Sequence, residues 1–147
     1  MASTSDREIA QWIDDFIDDT MMETASIVTK IGEDALTISR EEHLYHTQTG
    51  NLQSSCGFTV TLDGTALTRT DFTPKPGMVN PDGNTGSREG KAYMEQCLQQ
   101  KLDKGISLIM VAGMDYAGKV EDRGGDVLKS AEAHIRKEFD KLCRGAI

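Results

Sequence analysis

At 147 residues and 16.1 kDa, with 37% hydrophobic residues, the chain is about one domain's worth of protein with enough apolar sequence for a real core. That balance excludes a disordered chain, a collagen-like repeat and a disulfide scaffold. A net charge of -8 and a pI near 4.8 argue against general nucleic-acid binding and against docking on anionic lipid, both of which need basic surface.

The charge is unevenly placed. Residues 1–49 carry 11 acidic and 3 basic groups, whereas residues 50–147 carry 13 of each. The first six residues show neither a basic nor an apolar signal region, so no signal peptide is expected. The longest apolar stretch, Leu108 to Met114, falls far short of a membrane span. Cys56, Cys97 and Cys143 are odd in number, about 40 residues apart and without a C-x-x-C pair. Reduced thiols in a cytosol-like compartment are the expectation.

In chain order, Ser5 to about Glu42 is predicted to be a long amphipathic helix, opened by the capping box Ser5 and Glu8. Ile9, Trp12, Ile13, Phe16, Ile17, Met21, Val28, Ile31, Ala35 and Ile38 recur mostly three or four apart and form one apolar stripe. Asp14, Asp15, Asp18, Asp19 and Glu23 fill the other face. Gly32, about 1 kcal/mol worse than Ala in a helix interior, is the expected point of a bend or a break.

The polar segment Thr49-Gly50-Asn51-Leu52-Gln53-Ser54-Ser55 suits a single capped turn, with Thr49 as cap and Leu52 as core anchor. Alternation over Cys56 to Leu62 predicts a half-buried strand, ended by Asp63-Gly64. A second strand is predicted over 66–72. Residues 73–90 contain Pro74, Pro76, Pro81 and four glycines, which predicts a long surface loop. Ser87 is then the expected cap of a helix from about Arg88 to Lys104, stopped by Gly105. The nearly continuous apolar run Ile106 to Ala112 predicts a central strand buried on both faces. A short element over 116–121 follows. Gly124-Gly125-Asp126 opens a final helix to about Cys143, with Leu128, Ala131, Ile135, Phe139 and Leu142 on its core face. The whole chain, 1–147, reads as a single α+β domain. Its long N-terminal and C-terminal helices pack on a small, mainly antiparallel sheet, with loop 73–90 and an additional helix as an insertion.

Candidate chemistry is sparse. Asp14-Asp15-Phe16-Ile17-Asp18 spells DDxxD, a magnesium-diphosphate pattern, but no second acidic cluster or all-helical cavity accompanies it. Gly86-Ser87-Arg88-Glu89-Gly90-Lys91-Ala92 echoes a phosphate loop, yet it is one residue short and has Ala92 where magnesium binding needs Ser or Thr. His43 and His46 share helical spacing, and His134 lies on the last helix, but no set of three or four ligands has zinc-site spacing. No nucleophile signature such as G-x-S-x-G is present. Neither catalysis nor a cofactor or metal is expected.

Two segments together carry a resemblance. Thr49-Gly50-Asn51-Leu52-Gln53-Ser54-Ser55, after a long helix and before a strand, resembles T-G-x-L-x-x-S. Tyr116-Ala117-Gly118-Lys119-Val120-Glu121, after an apolar strand and before the last helix, resembles Y-A-x-x-V-E. The pair is similar to the small tail-completion (neck) proteins of long-tailed phages and prophages, over roughly residues 5–62 and 105–143. Two departures are visible: His46-Thr47-Gln48 replaces a frequent proline before T-G, and the glycine after the glutamate is one residue late, at Gly124.

The matched residues Thr49, Gly50, Leu52, Ser55, Tyr116, Ala117, Val120 and Glu121 read as fold signatures rather than reactive groups. The resemblance implies a virion protein at the head–tail junction, made in the bacterial host cytoplasm. It implies assembly into a ring of identical subunits, often six-fold, that docks on neighbouring connector or tail-tube proteins. Asp14, Asp15, Asp18 and Asp19 would form either a solvated face or a channel wall that repels DNA phosphate. The alternative is a cytosolic enzyme or a small-molecule or metal-binding protein with a pocket between the long helix and the sheet.

Overall fold

The computed structural model describes residues 4–41, 50–75, 83–100 and 102–145. Helix α1 (Thr4–Glu41) leads to the one-turn α2 (Asn51–Ser54) and strands β1 (Cys56–Leu62) and β2 (Thr65–Arg69). Helix α3 (Asn84–Gln99), strand β3 (Ile106–Ala112), the short α4 (Ala117–Asp122) and α5 (Lys129–Cys143) follow. The class is α+β, with an antiparallel sheet ordered β2-β1-β3.

The hairpin between β1 and β2 forms because Asp63 and Gly64 both take positive φ, 50° and 85°, which a two-residue turn requires. Asp63 also fixes the approach of β3. Its N–H donates to the Gly105 carbonyl at 2.9 Å, and its Oδ1 accepts the Gly105 N–H at 2.7 Å. β2 leaves the ladder earlier than the predicted 66–72. A bulge sits opposite Val60 and Thr61, and Thr70 continues the pairing through its side chain, with Oγ1 accepting from the Phe58 N–H at 3.0 Å.

The central strand is β1, not β3. The apolar run of β3 lies at a sheet edge and is mostly half-buried, while β1 is buried on both faces except at Leu62. Cys56, Phe58 and Val60 belong to the core that Val28 and Leu36 of α1 complete. The small opposite face, Gly57, Thr59 and Thr61, is covered as well. The Phe72 ring lies so close over Gly57 that a Cβ there would sit 2.4 Å from it, and α3 packs on the same strand. The Thr59 and Thr61 hydroxyls are buried without a partner among the described residues.

Gly32 does not break α1. The helix is continuous, and the missing side chain admits the Phe58 ring, which a Cβ would approach to 2.5 Å. Helix and sheet are therefore in direct contact at this point. α5 packs against α1 on this side of the sheet, with Phe139 and Leu142 against the core and Ala131 buried.

α3 begins four residues before the expected start, capped by Gly83 in the left-handed region at φ 59°, so Gly86 and Gly90 are helical. Both are close-approach positions. A Cβ on Gly86 would lie 1.9 Å from the Asn51 carbonyl oxygen, and one on Gly90 would lie 2.5 Å from that of Ser55. Ser87, the expected cap, instead donates its hydroxyl to the Phe72 carbonyl. Gly105, the expected stop, precedes β3, while α3 ends at Gln99.

The C-terminus of α1 is locked onto β1 through Arg40, which donates to the Cys56 carbonyl at 2.8 Å. Burial pulls the Arg40 pKa down from its ordinary value, and it pushes the Cys56 thiol up to about 11. Among the described residues no helix is long and apolar enough to cross a membrane.

Candidate functional site

The residues of the two signature segments hold the scaffold together. Gly50 takes a left-handed φ of 75° at the N-cap position of α2. Leu52 is buried, as expected of an anchor. Ser55 is fully buried, with its hydroxyl donating to the Leu52 carbonyl at 2.7 Å. The neighbouring Ser54 hydroxyl donates to the Gly50 carbonyl at 2.6 Å and accepts the Lys75 N–H at 2.6 Å. Asn51 Oδ1 accepts the Gly86 N–H at 3.0 Å, so α2 and α3 are stitched together. Thr49, His43 and His46 lie outside the described residues.

The second segment is helical, as α4, with Tyr116 at its N-terminal boundary and Ala117 buried. Tyr116 and Val120 pack against the core. Glu121 works as a cap for the next element: Oε2 accepts the Val127 N–H at 2.6 Å and Oε1 the Leu128 N–H at 2.9 Å. Asp126 adds a third tie, its Oδ1 accepting the Ser130 N–H at 2.9 Å. The Leu128 and Ser130 bonds satisfy donors that the start of α5 leaves unpaired, and the Val127 bond ties the residue before the cap to α4. They explain why α5 begins at Lys129, a turn after the Gly-Gly-Asp signal. The two segments meet in one apolar core, which Leu52 shares with Tyr116, Ala117 and Val120, and the Gly113 N–H donates to the Ser55 carbonyl at 3.1 Å, but among the described residues they bring no reactive set together.

Among the described residues no group of three His, Cys, Asp or Glu side chains could hold a metal ion. His134 is half-buried, with its Nε2 unpartnered among the described residues. Between β3 and α5, Leu108, Met110, Leu128 and Ile135 line an open cleft of about 340 Å³. The exposed pair Glu132 and Arg136, 2.8 Å apart, borders it. No nucleophile stands beside a base in this cleft.

The surface that stands out is the N-terminal half of α1. At 1.5 Å per residue a 38-residue helix is about 57 Å long, while a seven-residue strand spans roughly 24 Å. The sheet can cover less than half of such a helix. The buried positions start at Ala25 and continue through Val28, Ile31, Ala35 and Leu36 to Ser39. Residues 5–20 are all exposed and project as an arm. The expected apolar stripe is thus a core face only in its second half. In its first half Ile9, Ile13 and Ile17 are about half exposed, Trp12 is 66% exposed and Phe16 71%.

The two halves of the stripe also face different ways. At 100° per residue, the centre of the exposed set lies about 100° around the helix from the centre of the buried apolar set. The arm is therefore not a simple overhang of the core face. Asp14, Asp15, Asp18 and Asp19 are all exposed on it, outside the apolar strip, and Gln11 donates to Asp15 Oδ1 at 2.9 Å. Fully burying one large apolar side chain is worth roughly 1.5–3 kcal/mol, so five in water are a large unused driving force. Contiguous exposed apolar surface of this kind marks contact with another macromolecule.

Spacing alone places these five residues in one stripe with the buried ones. Two sequence signals could have separated them: the excess of helix length over strand length, and the rotation of the stripe between Ile17 and Ala25. Comparison with protein families, characterised proteins and solved structures returns no match.

Proposed function

We propose that the chain is a structural protein of a phage or prophage virion, acting at the head–tail junction by ring assembly and docking rather than by catalysis. The observation that carries this reading is the exposed apolar arm of α1. A subunit that works through assembly needs a rigid apolar face left open in the monomer, and residues 9–17 supply one. The order of elements around the two signature segments, and the use of Leu52, Ser55, Tyr116 and Glu121 as packing and capping groups, support the same reading.

Copies of one chain close into a ring when one surface patch meets a different patch on the next copy. Such a ring would dock on connector or tail-tube proteins. Asp14, Asp15, Asp18 and Asp19, if turned to the channel, would repel DNA phosphate and let the genome pass without sticking. Size-exclusion chromatography with light scattering, over a range of concentrations and with purified connector and tail-tube proteins added, tests the reading. A closed ring, alone or on such a partner, is expected. A strict monomer that binds none of them contradicts it.

A further inference from the structure

We propose that the arm of α1 is a docking helix for a protein whose apolar groove is bordered by lysine and arginine side chains. This deepens the assembly reading and rests on it only for the setting in which that partner is met. The surface itself stands on its own geometry. Ile9, Trp12, Ile13 and Phe16 recur at the spacing by which a helix lays anchors into a groove, and Ile17 widens the strip. Trp12 and Phe16 lie one turn apart and are the most exposed of the five, as anchors awaiting a pocket would be. The arm is continuous with a buried helix, so docking does not have to order it first.

Charge selects the occupant. Residues 4–24 hold seven carboxylates (Asp6, Glu8, Asp14, Asp15, Asp18, Asp19 and Glu23) against one arginine, Arg7. Pairing two such arms would bring fourteen carboxylates around one apolar seam, which opposes a second copy of the arm. The cleft beside β3 on this chain is bordered by an acid as well as a base, Glu132 with Arg136, and offers no net cation to the arm. Anionic lipid is repelled. A groove with cationic rims both buries the strip and neutralises its flanks.

Trp12 is the only tryptophan in the chain, so its fluorescence reports on this surface directly. The test adds to the full-length protein two synthetic helical peptides with identical leucine seams, one flanked by lysine and one by glutamate. The lysine peptide is expected to shift Trp12 emission to the blue. Raising salt from about 50 mM to 500 mM should weaken it at least tenfold. Phe16→Ser, at an exposed position that leaves the fold intact by circular dichroism, should cost at least tenfold in affinity. The glutamate peptide should give no shift.

Equal response to both peptides, or none to either, overturns the proposal. So does a blue shift that grows with protein concentration alone and is strengthened by salt, which would mean arm-to-arm pairing. Light scattering on the same samples keeps the two readings apart. A ring that forms while the lysine peptide fails removes this proposal alone. Peptide binding by a chain that forms no ring, alone or with connector and tail-tube proteins, removes the assembly reading alone.

Discussion

Cys56 shows how one buried residue couples the end of α1 to the sheet. Its carbonyl accepts from Arg40, and its thiol contacts the Leu52 carbonyl at 3.5 Å. Burial is the main cause of its raised pKa, opposed by a hydrogen bond to the Ser39 side chain and by the charge of Arg40. The thiol therefore stays protonated and inert while folded. A pKa raised in the folded state adds stability below the unfolded value near 9.0, and that stability is lost as pH rises towards about 11. Urea titrations of wild type and Cys56→Ser between pH 8 and 11 should show the difference between them shift by about 2–3 kcal/mol against the wild type. The exposed Cys143 should react with a thiol reagent in the native protein, and Cys56 only on unfolding.

At the scale of elements, the fold depends on helices brought unusually close to other backbone. α3 is the clearest case, since Gly86 and Gly90 let it touch the carbonyls of Asn51 and Ser55, and Gly113 lies against Gly90. Gly86→Ala forces a methyl group into backbone that cannot step aside. It should cost 2 kcal/mol or more, about 4–8 °C in melting temperature. Gly118→Ala is the matched control, because a Cβ there meets nothing within 4 Å in a helix, and it should raise stability by roughly 0.5–1 kcal/mol. Calorimetry of the two variants reads both effects.

The same elements show what was legible beforehand. α1, β1 and α5 could be read because 3.6-residue and two-residue periods are local properties of a sequence. The start of α3 could not, since its glycines look like loop until Asn51 and Ser55 are known to lie against them. Nor could the strand order. Thr59 and Thr61 read as a wet face, and only the later arrival of Phe72 and α3 covers them.

At the scale of the molecule, the charge asymmetry of the sequence becomes spatial: the excess acid is concentrated on α1, and the arm carries its densest part. The compact part of the fold is served by the second half of α1, from Ala25 to Glu41. The arm adds about 30 Å of helix whose large apolar side chains stay about half exposed or more. The exposure of this half is not legible from spacing alone; the length of the helix against that of the strands and the turn of the stripe between Ile17 and Ala25 are the signals that carry it.

The most direct test of the arm as the assembly surface is light scattering on wild type and the double variant Trp12→Ser/Phe16→Ser, each mixed with connector and tail-tube proteins. The account expects wild type to enter a complex of fixed stoichiometry, and the variant to keep the same melting temperature while binding at least a hundredfold more weakly. A folded variant that assembles as well as wild type would contradict it.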